Sequence, residues 1–459
     1  MYSENAWKKY NEKEIKEVMD FSEGYKDFLT KGKTERACVQ LALAMAKEKG
    51  FCDLDEIIKA GQPLKAGDKV YALNMNKNIA LFVIGKKPLE EGLRVLGAHI
   101  DSPRLDLKQN PLYEGEGFAL FDTHYYGGIK KYQWVTMPLS LHGVVIKKDG
   151  TKIDLVIGEK EEDPIFFISD LLIHLAADQL KKDGRKVIEG ENLDVTIGSI
   201  PLKDKEKDGV KANILRILKD TYGIEPEDFL SAEIEVVPSG KARDCGLDRS
   251  MVMGYGHDDR VCAYTSLAAI LEVEDCQYTN CCFLVDKEEI GSVGATGAQS
   301  LFMENTIAEV MARMGEESLL KTRRALTNTK MLSSDVSAGV DPLYVSVSEK
   351  KNAAYLGKGI VFNKYTGARG KSGCNDANPE YMAELRRILD DGKINYQTAE
   401  LGKVDQGGGG TIAYIMGNYT MNVIDAGVPV MNMHAPWEVV SKADVYEAYR
   451  AYKAFLSQI

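Results

Sequence analysis

The sequence has no long apolar run and a shortage of positive charge. None of its apolar stretches approaches the roughly 18 residues that a membrane helix needs, so no membrane span is predicted. Lysine and arginine number 58 against 69 aspartates and glutamates, which leaves a net charge of −11 at pH 7. Because affinity for phosphate requires concentrated positive charge, this balance argues against a non-specific nucleic-acid-binding protein.

Cysteine and histidine are also scarce. The eight cysteines include no Cys-x-x-Cys spacing, and Cys281 and Cys282 are adjacent within an apolar run. This pattern predicts buried free thiols in a reducing compartment, and hence a cytoplasmic protein, rather than a disulfide framework. Only six histidines are present. In so histidine-poor a chain, a histidine beside several acids is a candidate metal ligand.

Length and apolar pattern predict an α/β protein that is interrupted by a second domain. At 459 residues the chain is about three times as long as a typical domain. Strands and helices alternate near both ends, which indicates a mixed sheet flanked by helices. Residues 105–244 consist mainly of short β-rich pieces. The prediction is one α/β domain, formed by residues 1–104 and 245–459, with a β-rich domain of residues 105–244 inserted.

Helical and strand-like spacing marks several segments. Apolar residues from Ile15 to Leu29 recur at helical spacing, and Thr34 is a suitable N-cap for a second helix that ends at Gly50. Within the β-rich region, residues 164–181 have the pattern of one amphipathic helix. Later helices are predicted over residues 261–272, 298–314 and 442–456. Strands are predicted over residues 80–84, 93–98, 140–147, 153–157, 232–237, 281–285 and 428–433.

Five short segments share one arrangement, in which apolar residues end and a histidine or carboxylate follows. In open α/β sheets, ligands bind beyond the carboxyl ends of the strands. If the five preceding strands are parallel neighbours, these side chains converge on one crevice. The segments are His99-Ile-Asp101, His257-Asp258-Asp259, Asp286-Lys-Glu288-Glu289, Ser334-Asp335 and Met433-His434.

Two histidines with several carboxylates form a donor set suited to zinc, manganese or cobalt. So many acids in one place would repel one another without cations, so the sequence predicts two metal ions rather than one. A water shared by two ions becomes a hydroxide nucleophile near neutral pH, and an adjacent carboxylate can act as its base. Glu288 and Glu289 supply two such carboxylates, one for metal and one for water.

These segments resemble the motifs of the M18 metallo-aminopeptidases, the aspartyl aminopeptidase family of cocatalytic zinc exopeptidases. The five segments and Gly297-Ala-Gln299-Ser300 follow in the family's order, and the resemblance runs over nearly the whole chain. It implies an aminopeptidase that removes N-terminal residues from peptides with a free N-terminus. It also implies two divalent ions in each subunit, zinc first, with Co²⁺ or Mn²⁺ as alternatives.

The resemblance implies two classes of site residue. Glu288 would be the general base, which passes a proton from water to the leaving amine. Asp101 would orient the imidazole of a metal ligand. Asp258 would bridge the two ions. The metal ligands would be His99, Asp258, Glu289, Asp335 and His434.

The resemblance also implies an assembly. Members of the family form a tetrahedral dodecamer of dimers, in which the inserted domain makes the dimer contact. A histidine of that domain reaches the active site of a neighbouring subunit, and His174 is its match here. That role would make His174 a third catalytic residue, which stabilises the tetrahedral oxyanion. On its helical pattern alone, His174 is a partly buried core residue.

Substrate contacts are less defined. Lys364 lies where the family has a substrate-facing lysine, but residues 366–373 form an insertion relative to the enzymes that act on acidic substrates. Gly408, in a run of four glycines, is expected to shape the pocket or to bind a carboxylate through bare amides. A preference for acidic or for neutral N-terminal residues is left open.

Two other functions fit the same residues. A related deacylase or carboxypeptidase would use the same two-metal chemistry and would accept substrates whose amine is blocked. A non-catalytic metal-binding scaffold would show gaps in its ligand set, and the sequence shows none. The expected partners are peptide substrates and further copies of the chain, with neither nucleic acid nor membrane.

Overall fold

The computed structural model of the chain describes residues 4–457. Within that range, no helix combines the length and the apolar character that crossing a membrane requires. Ten α-helices lie within the same range. They are α1 (Glu12–Lys31), α2 (Glu35–Glu48), α3 (Leu54–Lys59), α4 (Gly209–Ile217), α5 (His257–Leu271), α6 (Phe302–Arg313), α7 (Leu319–Asn328), α8 (Pro379–Asp391), α9 (Ala413–Gly417) and α10 (Lys442–Leu456).

The first two helices begin at residues whose side chains cap them. Asn11 accepts a hydrogen bond from the amide of Glu14, and the Glu14 carboxylate accepts one from the amide of Asn11. Thr34 accepts a bond from the amide of Ala37 at the start of α2. Such bonds satisfy amides that have no partner inside the helix. The helices predicted in both terminal regions are confirmed by α1, α2, α5, α6 and α10.

Twenty strands lie within the described range, and they form three sheets. Most of the predicted strands are among them. The strands are β1 (Cys52–Asp53), β2 (Lys69–Asn74), β3 (Asn78–Val83), β4 (Arg94–His99), β5 (Arg104–Gly115), β6 (Phe118–Tyr126), β7 (Leu139–Ile146), β8 (Lys152–Ile157), β9 (Val195–Gly198), β10 (Ala232–Pro238), β11 (Arg243–Cys245), β12 (Met251–Gly254), β13 (Asn280–Val285), β14 (Lys330–Ser333), β15 (Ser337–Ala338), β16 (Ile360–Asn363), β17 (Tyr396–Thr398), β18 (Asn422–Gly427), β19 (Pro429–Met431) and β20 (Glu438–Ser441).

The largest sheet has nine strands in the order β1-β2-β3-β13-β4-β14-β18-β16-β17. Its centre, β13-β4-β14-β18, is parallel, whereas β3 and β16 pair antiparallel with their inner neighbours. Successive residues of β3 belong alternately to two hydrophobic clusters, so a core lies on each face of this sheet. One cluster includes α1, α2, α5, α8 and α10, and the other includes α3, α6, α7 and α9. The predicted mixed sheet flanked by helices is confirmed.

The strand predicted over residues 428–433 is only partly right. The central sheet is extended by β18, which ends before that range. The chain then enters β19, which belongs to a five-stranded sheet in the order β11-β12-β20-β19-β15. Pro429 is the first residue of β19, a position at which a strand tolerates a residue without an amide hydrogen. The apolar run at residues 428–433 starts a different sheet instead of completing the central one.

Contacts along the chain divide it into two compact units. The first combines the chain up to Asp101 with Ala242–Met433 and the chain from Glu438 onwards, and it contains the nine-stranded and five-stranded sheets. The second combines Ser102–Lys241 with His434–Trp437. It contains a six-stranded antiparallel sheet in the order β8-β7-β10-β5-β6-β9. The inserted domain was predicted over residues 105–244, without the four distant residues.

The amphipathic helix predicted over residues 164–181 is wrong. Phe166 pairs with Leu139 of β7, and Phe167 pairs with Thr196 of β9, through isolated bridges. Side chains from residue 165 to residue 168 alternate between exposed and buried, which is the period of an extended chain. Short 3₁₀ turns follow. Pairing with the six-stranded sheet thus overrides the helical spacing of the apolar residues.

Gly427 ties the end of β18 to the loop that carries Asp335. A Cβ at Gly427 would lie 1.8 Å from the carbonyl oxygen of Asp335. We expect Gly427→Ala to lower the free energy of unfolding by about 1–3 kcal/mol, because overpacking forces the neighbouring backbone to move. Urea unfolding measures this change. Gly370→Ala is the control, since a Cβ there meets nothing within 4 Å; equal stability of the two variants would contradict the prediction.

Candidate metal centre

Three loops at the carboxyl ends of parallel strands carry most of the predicted site residues. β4 ends at His99, β13 is followed by Glu288 and Glu289, and β14 is followed by Asp335. β13 and β14 each pair in parallel with β4, one on either side. The three loops therefore leave the central sheet at the same edge, as the sequence predicts.

Asp258 reaches this group from a helix. It lies in the first turn of α5, where Asp258 and Asp259 have non-helical backbone angles and are joined by a cis peptide bond. The amide of Asp258 donates to Oε2 of Glu438 at 3.0 Å. Its Oδ1 lies 3.2 Å from Nε2 of His99. The condition that all five strands be parallel neighbours does not hold for Asp258, because the preceding β12 belongs to the five-stranded sheet.

The carboxylate of Asp101 connects two of the loops. Nδ1 of His99 lies 3.0 Å from the backbone carbonyl oxygen of Asp101 and 3.2 Å from its Oδ1. The amide of Glu288 donates to Oδ1 at 3.2 Å, and the amide of Glu289 donates to Oδ2 at 3.1 Å. One side chain therefore contacts the imidazole of His99 and also holds the backbone of both glutamates. The sequence predicted only the first of these contacts.

The acidic residues around His99 concentrate negative charge where little water reaches them. Asp258, Asp259 and Asp335 are all buried. Burial raises the pKa of Asp335 well above its ordinary value, and repulsion from Asp259 and Glu288 raises it further. Burial alone would lower the pKa of His99, but hydrogen bonds with two aspartates hold that pKa well above its ordinary value. Buried carboxylates in this arrangement are stabilised when cations lie among them.

The donor atoms of the first unit fit a divalent metal ion. Among its described residues, two groups offer ligand atoms that lie within 4.8 Å of one another. Imidazole nitrogen and carboxylate oxygen are ligands that zinc and other first-row divalent ions accept. The groups are His99 with Asp258 and Asp335, and His99 with Glu288 and Glu289.

His434 lies in the second unit, in the short segment His434–Trp437. Its Nδ1 lies 2.9 Å from the carbonyl oxygen of Gly128. Because a carbonyl oxygen can only accept, Nδ1 is the nitrogen that donates, and Nε2 keeps its lone pair in the neutral ring. That tautomer is the one in which Nε2 binds a metal. The preceding strand, β19, is not part of the central sheet, so the condition of five parallel neighbours does not hold for His434 either.

The two predicted substrate-binding residues lie in loops of the first unit. Lys364 forms an ion pair with Asp376, so its ammonium group already has an anionic partner. Gly408 has a φ of +131°, and a Cβ there would lie 2.4 Å from Cα of Ala368. This glycine is therefore required where two loops pack closely. Substrate binding by Lys364 and by Gly408 stays a prediction.

His174 lies in the second unit, in a single 3₁₀ turn over Ile173–Leu175. Its side chain is exposed. The interpretation of His174 as a partly buried core residue is therefore wrong, because the helix on which it depended does not form. Its role in a neighbouring subunit stays a prediction.

Two supporting residues were missed by the sequence analysis. Glu438 accepts the amide of Asp258 from 180 positions away along the chain. Thr296 donates from Oγ1 to Oδ2 of Asp286 at 2.6 Å, inside the loop that carries the glutamates. Neither contact can be recognised from a local sequence pattern, because each depends on how separated segments of the chain fold against one another.

Comparison with known proteins gives matches over the full chain. The family model described as Aminopeptidase I zinc metalloprotease (M18) matches residues 28–456. An M18 family aminopeptidase 1 of Clostridium acetobutylicum is 61% identical over 454 residues, which cover 99% of this chain and 98% of the relative. The crystal structure of an M18 aminopeptidase from Thermotoga maritima has a TM-score of 0.95 at 44% identity, with 100% of both chains covered.

Two further structures extend the comparison. The crystal structure of aminopeptidase I from Clostridium acetobutylicum has a TM-score of 0.93 at 60% identity, with 99% of both chains covered. The S. cerevesiae mApe1 dodecamer shares the fold, with a TM-score of 0.76 at 19% identity over 95% of this chain and 96% of that one. The family model and the relatives of high identity agree over nearly the whole length. The chain therefore belongs to the M18 family of zinc metallo-aminopeptidases.

Proposed function

We propose that the chain is an aminopeptidase that removes N-terminal residues from peptides. It would use two divalent metal ions and a glutamate as the general base. The observation that carries the proposal is the group formed by His99, Asp258 and Asp335, whose ligand atoms lie within 4.8 Å of one another. Membership of a zinc metalloprotease family supports zinc, and cobalt or manganese suits the same donors. A second ion is supported by the number of acids, which exceeds what one cation would neutralise.

The two ions are assigned to two sets of ligands. His99, Asp258 and Asp335 would hold one ion. Asp258, Glu289 and His434 would hold the other, so that both sets would share Asp258. The support for His434 is the hydrogen bond that its Nδ1 donates to the carbonyl oxygen of Gly128, since metal-binding histidines commonly donate from the other ring nitrogen to a carbonyl oxygen.

Glu288 is the general base in this proposal. Bound ions would polarise the scissile carbonyl and lower the pKa of the attacking water. Oε2 of Glu288 lies 3.9 Å from Nε2 of His99, and its side chain is 16% exposed, so it is beside the ligands and still accessible. Its carboxylate takes a proton from the water and passes it to the leaving amine. Asp101 fixes the position of this base through the backbone amide.

Replacement of Glu288 tests the assignment of the base. We expect Glu288→Gln to keep its metal content and to lose turnover by at least about 100-fold, because an amide cannot accept the proton. Metal analysis and kcat on a peptide substrate measure the two effects. Glu309→Gln, an exposed position of α6, is the control. Turnover close to that of the parent enzyme would contradict the assignment.

Replacement of Asp101 tests the connection between the two loops. In Asp101→Asn, one of the two side-chain oxygens becomes an NH₂ group, which faces an N–H donor instead of accepting from it. We expect metal to bind about 10–100-fold more weakly, with a lower kcat, as for other residues that orient metal ligands. Competition with a chelator measures the affinity. Asp391→Asn, at the exposed end of α8, is the control, and unchanged metal affinity in Asp101→Asn would refute the connection.

We also propose that the second unit makes contacts between subunits and that the chain assembles as a tetrahedral dodecamer of dimers. Several apolar side chains near His174 are exposed, including Ile173 at 67% and Leu175 at 69%. Apolar groups exposed side by side are typical of an interaction surface. The S. cerevesiae relative of the same fold is a dodecamer. In such an assembly, His174 acts in the active site of a neighbouring subunit.

The assembly makes a prediction about His174. We expect His174→Ala to keep the parent's oligomeric state and to lose about 100-fold in kcat, the usual effect of removing one donor to an oxyanion. Sedimentation and steady-state kinetics measure the two properties. His124→Ala, another exposed histidine of the second unit, is the control. Full activity of a monomeric His174→Ala protein would contradict a role between subunits.

A cytoplasmic location is part of the proposal. All eight cysteines, each within residues 4–457, are free. Five of them are buried, among them the adjacent Cys281 and Cys282. Thiols that stay unpaired in this way are typical of proteins in a reducing compartment.

A further inference from the structure

The loop that carries Glu288 and Glu289 is closed at its base. This loop, residues 286–297, is called the glutamate loop below. Asp286 and Gly297 form an isolated parallel bridge at its two ends. The amide of Asp286 donates to the carbonyl oxygen of Thr296 at 3.3 Å. In return, Oγ1 of Thr296 donates to Oδ2 of Asp286 at 2.6 Å.

The base of the glutamate loop is buried and is attached to the central sheet. Asp286 is fully buried and Thr296 is 4% exposed. Nδ2 of Asn78, on β3, donates to the carbonyl oxygen of Thr296 at 2.6 Å. Because β3 pairs directly with β13, the strand that enters the loop, both ends of the loop are held by the same sheet.

Inside the glutamate loop the backbone folds tightly on itself. Lys287 and Ser292 both have positive φ angles. The amide of Ser292 donates to the carbonyl oxygen of Lys287 at 2.6 Å. A Cβ at Gly297 would lie 2.1 Å from the carbonyl oxygen of Ser292. These contacts leave the backbone of residues 286–297 little freedom to move. A change at the base of the loop is therefore transmitted to Glu288, two residues from Asp286.

We propose that Thr296 is a positioning residue for Glu288, acting through its hydrogen bond to Asp286. Asp101 holds the amides of Glu288 and Glu289 from one side, and the pair of Thr296 and Asp286 holds the base of the loop. Thr296 has no charge and ligates nothing in the proposed metal sites. Its hydroxyl therefore acts on the position of the loop and not on an ion directly, and four of the five proposed ligands (His99, Asp258, Asp335 and His434) lie outside the glutamate loop. This inference rests on the role proposed for Glu288.

The test removes the hydroxyl group without changing the size of the side chain. We expect Thr296→Val to lower kcat roughly 10–100-fold, because a misplacement of about 1 Å at a reacting group can reduce the rate by that amount. KM should stay within about twofold and the metal content should not change, since substrate binding does not involve this hydroxyl and most of the proposed ligands lie outside the glutamate loop. Thr296→Ser, which restores the donor, should recover most of the lost kcat.

Controls separate this role from general destabilisation. Thr322→Val removes another buried hydroxyl, which donates to the carbonyl oxygen of Ser318, the N-cap residue of α7, and it should keep the parent's kcat. If Thr296→Val does not fold, Thr296→Ala removes the same donor without placing a new methyl group there. A retained kcat, a parallel loss of metal, or a failure of Thr296→Ser to recover activity would overturn the proposal.

A comparison with Glu288→Gln shows which of the two claims fails. If Glu288→Gln stays active, the assigned base is wrong, whatever Thr296→Val does. If Glu288→Gln is inactive and Thr296→Val keeps its kcat, the base stands and the positioning role of Thr296 is refuted. Both variants are measured in the full-length, metal-loaded enzyme with the same peptide substrate.

Discussion

The geometry of the site depends on the buried carboxylate of Asp101, which requires hydrogen-bond donors around it. Asp101 is fully buried, and a carboxylate in that position is stable only when polar hydrogens surround it. The donors include the amides of Glu288 and Glu289 and the ring of His99. The bonds that offset the burial of Asp101 therefore also fix the spacing between the loop after β4 and the loop after β13. The same contacts therefore stabilise the buried carboxylate and set the geometry of the site.

A second constraint is repulsion among the acids that this spacing gathers. Burial and neighbouring carboxylates raise the pKa of Asp335, and burial raises that of Asp259. Without cations, such a group of acids opposes folding of the loops that carry it. The hydrophobic clusters on both faces of the central sheet hold those loops in place nevertheless. The fold thus supplies a preformed, negatively charged site that divalent ions would neutralise.

The sequence predicts the parts of this site that are local in the chain. His99 ends an apolar strand, Glu288 and Asp335 come within three residues after one, and a parallel sheet brings such positions together. Asp258 and His434 follow strands of the five-stranded sheet, because sheet membership depends on pairing between distant segments and not on local apolarity. The contact of Glu438 with the amide of Asp258 is equally non-local. Apolar periodicity indicates where a strand ends, but it does not indicate which strands pair with it.

The segment that misled the helix prediction supports the same conclusion about non-local contacts. Apolar residues recur through residues 164–181, yet Leu172, Ile173 and Leu175 are all more than half exposed in the single chain. The helical spacing predicts that these residues pack against the chain's own core. Instead, Phe166 and Phe167 pair with strands of the six-stranded sheet, and the later residues do not take part in that pairing. Apolar side chains with no core of their own are expected to be covered by another molecule. In the proposed assembly the pattern would reflect contact between subunits, which periodicity within one chain cannot distinguish from burial in the chain's own core.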